Sequence, residues 1–248
     1  MRSKNNNTFF IFLALFFTVV FVLPFMMSCS KSGVVNGATS NTQLEVINVS
    51  PDVGPVDIYA GVDFVKQNTS SFIYNNPGSY FYISPGDSVL EIRTAQESSA
   101  SIITLHEPNL LSNTKYSIFV TGLFSNSSIS NIFTVDDTVK PKSITEGYGE
   151  LRFVNASILA QYSSLDVTAN GTVAFSGIKY KQISPYIQLP AGNYNFQIYP
   201  TGYPTLVFST PSTQSVTIQD GGLYTLYSYG VVGQTDTAVV NAAVITNR

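Results

Sequence analysis

The chain has 248 residues, of which 44% are hydrophobic and only 11% charged, against about 25% charged in an average soluble domain. That length suits one large or two ordinary domains with a proper buried core. Fifteen Asp and Glu against twelve Lys and Arg make the chain weakly acidic, and without a Lys/Arg cluster to neutralise a phosphate backbone nucleic acid is excluded as an expected partner. The missing charges are replaced by Ser, Thr, Asn and Tyr, side chains that decorate solvated β-surfaces. The composition predicts an all-β protein.

In chain order, Arg2 and Lys4 precede an apolar run from Phe9 to Met27 that only Thr18 and Pro24 interrupt. Residues 1–28 read as a signal peptide, although a run of this length would also suffice as an uncleaved membrane anchor. Cys29, the only cysteine, follows Ser28 and precedes Ser30, Lys31, Ser32 and Gly33. The arrangement resembles the lipobox of bacterial lipoproteins, with Met26 and Met27 where that motif usually carries Leu and a small residue. The resemblance implies that the Cys29 thiol is acylated and becomes the new N-terminus. Several acyl chains, each held by about 0.8 kcal/mol per buried CH₂, would anchor the chain stably. The expected location is therefore the bacterial cell envelope, lipid-anchored at the outer membrane, with the membrane face open. Consuming the only thiol also leaves no disulfide, thiol nucleophile or Cys-ligated zinc in the mature chain. Residues 29–43, small, polar and Gly-bearing, read as a tether.

Beyond the tether the chain compares with itself. "LEVINVS" at 44–50 matches "LRFVNAS" at 151–157, and "VDIYAG" at 56–61 matches "LDVTAN" at 165–170. "ISPGDSVLEI" at 83–92 lines up with "LPAGNYNFQI" at 189–198, and "TKYSIFVTG" at 114–122 with "GLYTLYSYG" at 222–230. The offset stays between 106 and 109, which signals a tandem of two domains. Period-two segments set Leu90 and Ile92 against Glu91, and Tyr194, Phe196 and Ile198 against Asn195 and Gln197. Short strands punctuated by Gly, Pro, Asn and Asp predict two Greek-key β-sandwiches, immunoglobulin-like or prealbumin-like, over residues 44–137 and 150–248. The polar stretch "DDTVKPKSITEGYG" at 136–149 marks the linker, assigned to 138–149, short enough to bring the domains into contact.

The matched residues also carry a family likeness. "VINVSPDVGPVDIYAGVDFV" resembles the opening of the domain of unknown function 4397 family: a strand ending near Asn/His-Ala-Ser-Pro-Asp, a Val-Asp-Val-Tyr strand, a Gly-bearing hairpin and a later Pro-x-Gly turn. The second copy shares "FVNAS", "LDVTANG" and "LPAGNYNFQIYPTG" but has Ile158 and Leu159 in place of the Ser-Pro-Asp step. The resemblance covers nearly all of residues 44–245. It implies a tandem β-sandwich envelope protein and no known reaction.

Catalytic chemistry has little to stand on in these residues. Nucleophilic triads and most metal sites need imidazole, and the single histidine, His106, reads as a surface or capping residue at a strand end. Asp52, Asp57, Asp63, Asp87 and Asp166 are the carboxylates available for paired acid–base work. Asp57 and Asp166 occupy equivalent repeat positions, which favours a hydrogen bond that both folds need. Asp136 and Asp137 lack the D-x-D-x-D-G spacing that surrounds a calcium ion. The expectation is a protein without catalytic residues, metal or cofactor.

Binding is the stronger class, carried by 15 Tyr and 17 Phe. Tyr199 and Tyr203, around a Pro-Gly turn, are candidates for an exposed edge platform. In "SYFYIS" and its partner "SPYIQLP", period two places Phe81, Ile83, Ile187 and Leu189 toward the cores and Tyr80, Tyr82 and Tyr186 outward, because Gln188 shares the tyrosines' face and a buried unpaired amide is costly. Those tyrosines are expected to meet the other domain, a partner or a ligand. The reading is a non-catalytic, lipid-anchored envelope protein with an adhesive, structural or ligand-binding role, whose partners are the membrane through Cys29 and an envelope protein or glycan. The alternative is a carbohydrate-binding or carbohydrate-active lipoprotein of a glycan-uptake system.

Overall fold

The structure is a computed structural model describing residues 42–87, 89–96, 99–138, 144–159, 162–204, 215–234 and 238–248. Cys29, the apolar run before it and the tether up to residue 41 lie outside the described residues. From Ser40 onward the chain forms one compact unit, and the regular structure of the described residues is entirely β.

Repeat 1 contributes β1 (Gln43–Asn48), β2 (Val56–Ala60), β3 (Val65–Lys66), β4 (Phe81–Tyr82), β5 (Val89–Thr94), β6 (Ser101–His106), β7 (Thr114–Thr121) and β8 (Ser130–Thr138). They form two four-stranded sheets, β4-β1-β7-β8 and β3-β2-β5-β6. Every pairing is antiparallel except β1 with β7. Leu44, Val46, Tyr116, Ile118 and Val120 of the first sheet pack on Val56, Ile58, Leu90 and Ile92 of the second, closing a sandwich.

Repeat 2 follows the same plan with β9 (Tyr148–Asn155), β10 (Ser164–Ala169), β11 (Thr172–Lys179), β12 (Ile187–Pro190), β13 (Gly192–Tyr194), β14 (Phe196–Pro200), β15 (Val216–Ile218), β16 (Leu223–Tyr229) and β17 (Asn241–Thr246). Its sheets run β12-β9-β16-β17 and β11-β10-β14, with β13 paired to β15. β14 is the counterpart of β5, and the additional short β13 is set off from it by Asn195, whose amide and carbonyl both bond Asn170 of the β10–β11 turn. Leu151, Phe153, Leu165, Val167, Phe196, Ile198 and Leu226 fill the second core.

In the immunoglobulin order ABED/CFG the first two strands are neighbours. Here β1 sits between β4 and β7 while β2 belongs to the opposite sheet, so the chain does not follow that order. The crossing from one sheet to the other is stapled by the asparagine shared by "VINVS" and "FVNAS". Asn48 donates to the carbonyls of Gly54 and Phe72 and accepts from the Ser50 amide; Asn155 donates to Ile178 and accepts from the Ser157 amide. Both side chains are fully buried, where satisfied amides secure the turn-back of β2 and β10.

The expected linker is shorter in the structure. β8 runs through Asp136 and Asp137 to Thr138, and β9 opens at Tyr148. Contact between the repeats is extensive, because sheets β4-β1-β7-β8 and β12-β9-β16-β17 pack face to face. Ile47, Val49, Phe119 and Ile132 meet Val154, Ala156, Tyr227, Tyr229 and Ile245 in a third apolar cluster. The Phe119 and Tyr227 rings lie 5.3 Å apart at 61°, a favourable tilted contact. Strands β1, β7, β9 and β16 are consequently buried on both faces. The two sandwiches point the same way: Lys115 at the start of β7 bonds the Asn247 carbonyl just past β17, and Thr121 at the end of β7 bonds the Ala156 carbonyl just past β9.

Candidate functional site

The tyrosine face predicted from period two has the expected register. Ile83 is buried, Phe81 packs on the first core, and Ile187 and Leu189 pack on the second. Tyr80 and Tyr186 point away from their own cores and into the other repeat, where they join a buried polar network.

Asp136 is the centre of that network. Its carboxylate accepts hydrogen bonds from Ser117 (2.5 Å), Thr134 (2.6 Å) and Tyr80 (2.8 Å) of its own repeat, and from the guanidinium of Arg152 across the interface. Arg152 also donates to the Val135 carbonyl (2.8 Å), Thr134 (3.1 Å) and Thr225 (2.9 Å). Asn247 accepts from Thr225 and donates to Tyr80. The Tyr186 hydroxyl donates to the Asp136 carbonyl at 3.1 Å, beneath an Arg152 guanidinium 5.0 Å from its ring. Burial drives the Tyr186 phenol up to about 12, with Arg152 pulling down and Asp136 pushing up. Burial, then the Asp136 charge, lifts Tyr80 far above the ordinary phenol range. Both hydroxyls therefore stay protonated and serve as donors. A charge pair removed from water persists when further hydrogen bonds satisfy it, so this constellation locks the two repeats in register. The reading of Asp136 and Asp137 as neighbouring acids in a linker is corrected: both lie in β8, where Asp136 is bonded to Arg152 and Asp137 lies 3.4 Å from Arg248.

Glu45 projects into the same interface and is 4% exposed. One of its carboxylate oxygens has no hydrogen-bond partner. Burial, reinforced by the Asp136 charge and opposed by Lys115, pushes its carboxyl up to about 8. Nothing in "LEVINVS" announced this group, since an acid between apolar residues reads as the solvent face of a strand.

The remaining candidate tyrosines do not join one surface. Tyr82 is solvent-exposed beside the start of β1. Tyr199 is half-buried in β14 and donates to Thr168 at 2.6 Å. Tyr203, in the turn beyond β14, is exposed and stands edge-on to Tyr162 at 5.4 Å. Tyr199 and Tyr203 therefore do not stand together: Tyr203 packs against Tyr162, while Tyr199 is tied to its own sheet.

Three of the five carboxylates considered for acid–base work, Asp57, Asp166 and Asp52, are committed to the fold. Asp57 accepts from Lys66 (2.7 Å) and Asn68 (3.0 Å); burial pushes it up, but the Lys66, Asn68 and Ser71 donors outweigh that and hold it below the usual range. Asp166 accepts from Ser176, Thr201 and the Gly177 amide. Asp52, of the Ser-Pro-Asp step, accepts the amides of Phe124 (2.7 Å) and Ser125 (2.9 Å), which overcome its burial and lower it. His106 is exposed at the end of β6.

A groove of about 350 Å³ opens along residues 67–81. Residues 67–80 join β3 to β4, whereas the equivalent link in repeat 2 spans only 180–186. Its wall carries amides and hydroxyls (Gln67, Asn68, Thr69, Asn76 and Ser79 among them), no charged side chain, and the rings of Phe72 and Phe81. The rings stack at 6.1 Å and 29°. Gly78 lies so close to the Phe72 ring that a Cβ there would come within 2.8 Å of Cε1. Asn68 is already engaged by the Ile58 amide, Asp57 and the Ser70 carbonyl. No hydrogen bond among the described residues uses the side chains of Thr69, Asn76 or Ser79. Sequence reasoning missed the groove; its visible trace was the extra length of "QNTSSFIYNNPGSY" relative to "YKQISPY".

Comparison with known proteins adds a family and no reaction. No curated protein matches this chain. Among solved structures, a leucine-rich repeat protein from Bacteroides thetaiotaomicron VPI-5482 aligns with 72% of this chain and 24% of its own, at 13% identity and a TM-score of 0.18. The family model described as "Domain of unknown function (DUF4397)" matches residues 42–162 and again 149–247, so the chain, with its tandem sandwiches, belongs to that family.

Proposed function

We propose that this is a non-catalytic, lipid-anchored protein of the bacterial cell envelope whose role is ligand binding, and that the groove of repeat 1 takes a neutral, hydroxyl-rich ligand of the oligosaccharide class. The observation that carries the reading is the pairing of unengaged amide and hydroxyl side chains at Thr69, Asn76 and Ser79 with a stacked Phe72–Phe81 floor. Sugars offer alternating hydroxyls and C–H faces, which suit such a wall: polar groups fix orientation and rings cover the apolar face. The engagement of Asp52, Asp57 and Asp166 by structural donors supports binding over hydrolysis. Cys29 supplies the anchor in this reading.

Titration calorimetry against a panel of neutral oligosaccharides tests it. Replacing residues 67–80 by the repeat 2 segment 180–186 is expected to abolish binding while thermal unfolding remains cooperative. Because no groove residue ionises, affinity is expected to stay constant from pH 5 to 9. Failure of every neutral oligosaccharide to bind, or binding that survives the loop exchange, rejects the proposal.

A further inference from the structure

The five most exposed large apolar side chains among the described residues are Val62 (74%), Tyr82 (66%), Val173 (64%), Leu111 (63%) and Val65 (59%). Topology gathers all five at one end of the molecule. Asn48, closing β1, bonds Gly54, so β2 runs back along β1 and its hairpin with β3, holding Val62 and Val65, ends beside the start of β1. Tyr82 pairs with Gln43, the first residue of β1. Leu111 lies in the β6–β7 link, whose carbonyl accepts the Thr42 hydroxyl at 2.8 Å. Val173 follows the equivalent hairpin tip of repeat 2, and the two sandwiches point the same way. Phe64 adds a strained tip: its φ of +48° is unusual for a bulky residue, and its ring is partly exposed under Arg93, 5.1 Å away.

This is also the end at which the described chain begins. Twelve residues separate Cys29 from Thr42, a span of at most about 45 Å when fully extended. We infer that this apolar rim is a membrane-contact surface, lying against the lipid to which Cys29 is anchored, so that the sandwiches stand on the bilayer with the rim inward. The inference rests on the lipid-anchored reading above. Scattered apolar side chains, such as Phe124 and Tyr203 elsewhere on the surface, need no explanation, but the gathering of the five most exposed ones at the tether end does. Asp63, Asp87 and Glu107 share this end, while its Lys66 and Arg248 are paired with Asp57 and Asp137, which disfavours an anionic surface and commits the occupant to zwitterionic lipid. Each side chain contributes little alone; tethering raises the effective concentration enough for weak contacts to hold.

The test uses the mature chain from residue 29 with Cys29→Ser and a histidine tag at its N-terminus, held on phosphatidylcholine vesicles containing nickel-chelating lipid. Single cysteines replace Val62, Leu111 or, as a control at the β7–β8 loop of the opposite end, Phe124, and each carries a nitrobenzoxadiazole label. Labels at 62 and 111 are expected to shift to the blue and to be quenched by nitroxide lipids, with the label at 124 unaffected. Equal, water-like emission at all three positions overturns the inference, as does preferential insertion at 124. Substituting anionic lipid is expected to weaken the shift, and strengthening would reject the charge argument. Acylation of Cys29 in the native host is read separately from the mass of the N-terminal peptide, so failure of the anchor and failure of the rim are told apart.

Discussion

At Asp136 and Arg152 the cost of breaking a pair is far larger than the worth of having one. Removing Asp136 leaves a guanidinium buried among Thr134, Thr225 and Tyr186 without its anion, and loss of one partner of such a pair costs about 3–5 kcal/mol. Urea unfolding of Asp136→Ala is expected to show a loss of that order, and the Asp136→Leu/Arg152→Met double variant to recover most of it. Glu45 makes the opposite demand. Its carboxyl, raised to about 8 from the ordinary value of 4.5, binds a proton in the folded state that the unfolded chain has already released. Its contribution is therefore most favourable below pH 4.5 and is lost as pH rises through 8. Asp52 and Asp57, held below 3.8, contribute stability that is lost only at more acid pH. Unfolding midpoints measured from pH 5 to 9 are expected to fall for the native chain and to fall less for Glu45→Gln; parallel curves would show that Glu45 is not the group responsible. Asp136, Lys115 and Tyr227 are the ionisable groups whose fields act with that of Glu45 across the interface.

Between elements, the glycines that close "TKYSIFVTG" and "GLYTLYSYG" show why the repeats kept them. Gly122 and Gly230 have φ of +93° and +94°, and a Cβ would lie 2.2 Å from the Ser128 carbonyl oxygen in one and 2.4 Å from the Val239 carbonyl oxygen in the other. Backbone conformation and backbone contact both forbid a side chain at the exit of β7 and of β16. Either Gly→Ala change is expected to cost more than the roughly 1–2 kcal/mol of a left-handed L-residue alone, measured as a lower urea midpoint. The same change at Gly171, which has a positive φ but open space around its Cβ position, isolates the conformational share. Equal losses at all three sites would show that the carbonyl contacts add nothing.

For the whole molecule, independence of the halves is the issue. Polar linker residues and a complete core in each repeat lead one to expect halves that fold separately. The third cluster argues otherwise: cut between β8 and β9, repeat 1 would expose Ile47, Val49, Phe119 and Ile132, each worth about 1.5–3 kcal/mol when buried, beside an unpaired Asp136. Residues 42–138 and 144–248 produced separately are expected to be less stable than the intact chain and to form a 1:1 complex when mixed. Sedimentation and urea unfolding of each half and of the mixture measure this, and two stable monomers that ignore each other would show that the interface contributes little.

Strand type, tandem plan and the inward positions Leu44, Val46, Leu90, Ile92, Phe196 and Ile198 were legible because each depends on neighbours within one sandwich, which period two and internal repetition record directly. The tyrosine register was legible for the same reason: Gln188 reported the face that Tyr80 and Tyr82 alone left ambiguous. What covers that face was not, because Ile47 beside Val46 and Phe119 beside Ile118 look like mixed strands until a second sheet buries both sides. Asp136, Arg152 and Glu45 read as surface charges, since a charge satisfied by tertiary partners and one satisfied by water have the same local sequence. The groove depends on how the link between β3 and β4 folds over Phe72 and Phe81, a path that no periodicity encodes. Sequence by itself determined what each repeat is made of; only the packing of one repeat on the other decided which polar groups lie inside, because that contact joins residues far apart in the chain and leaves no pattern along it.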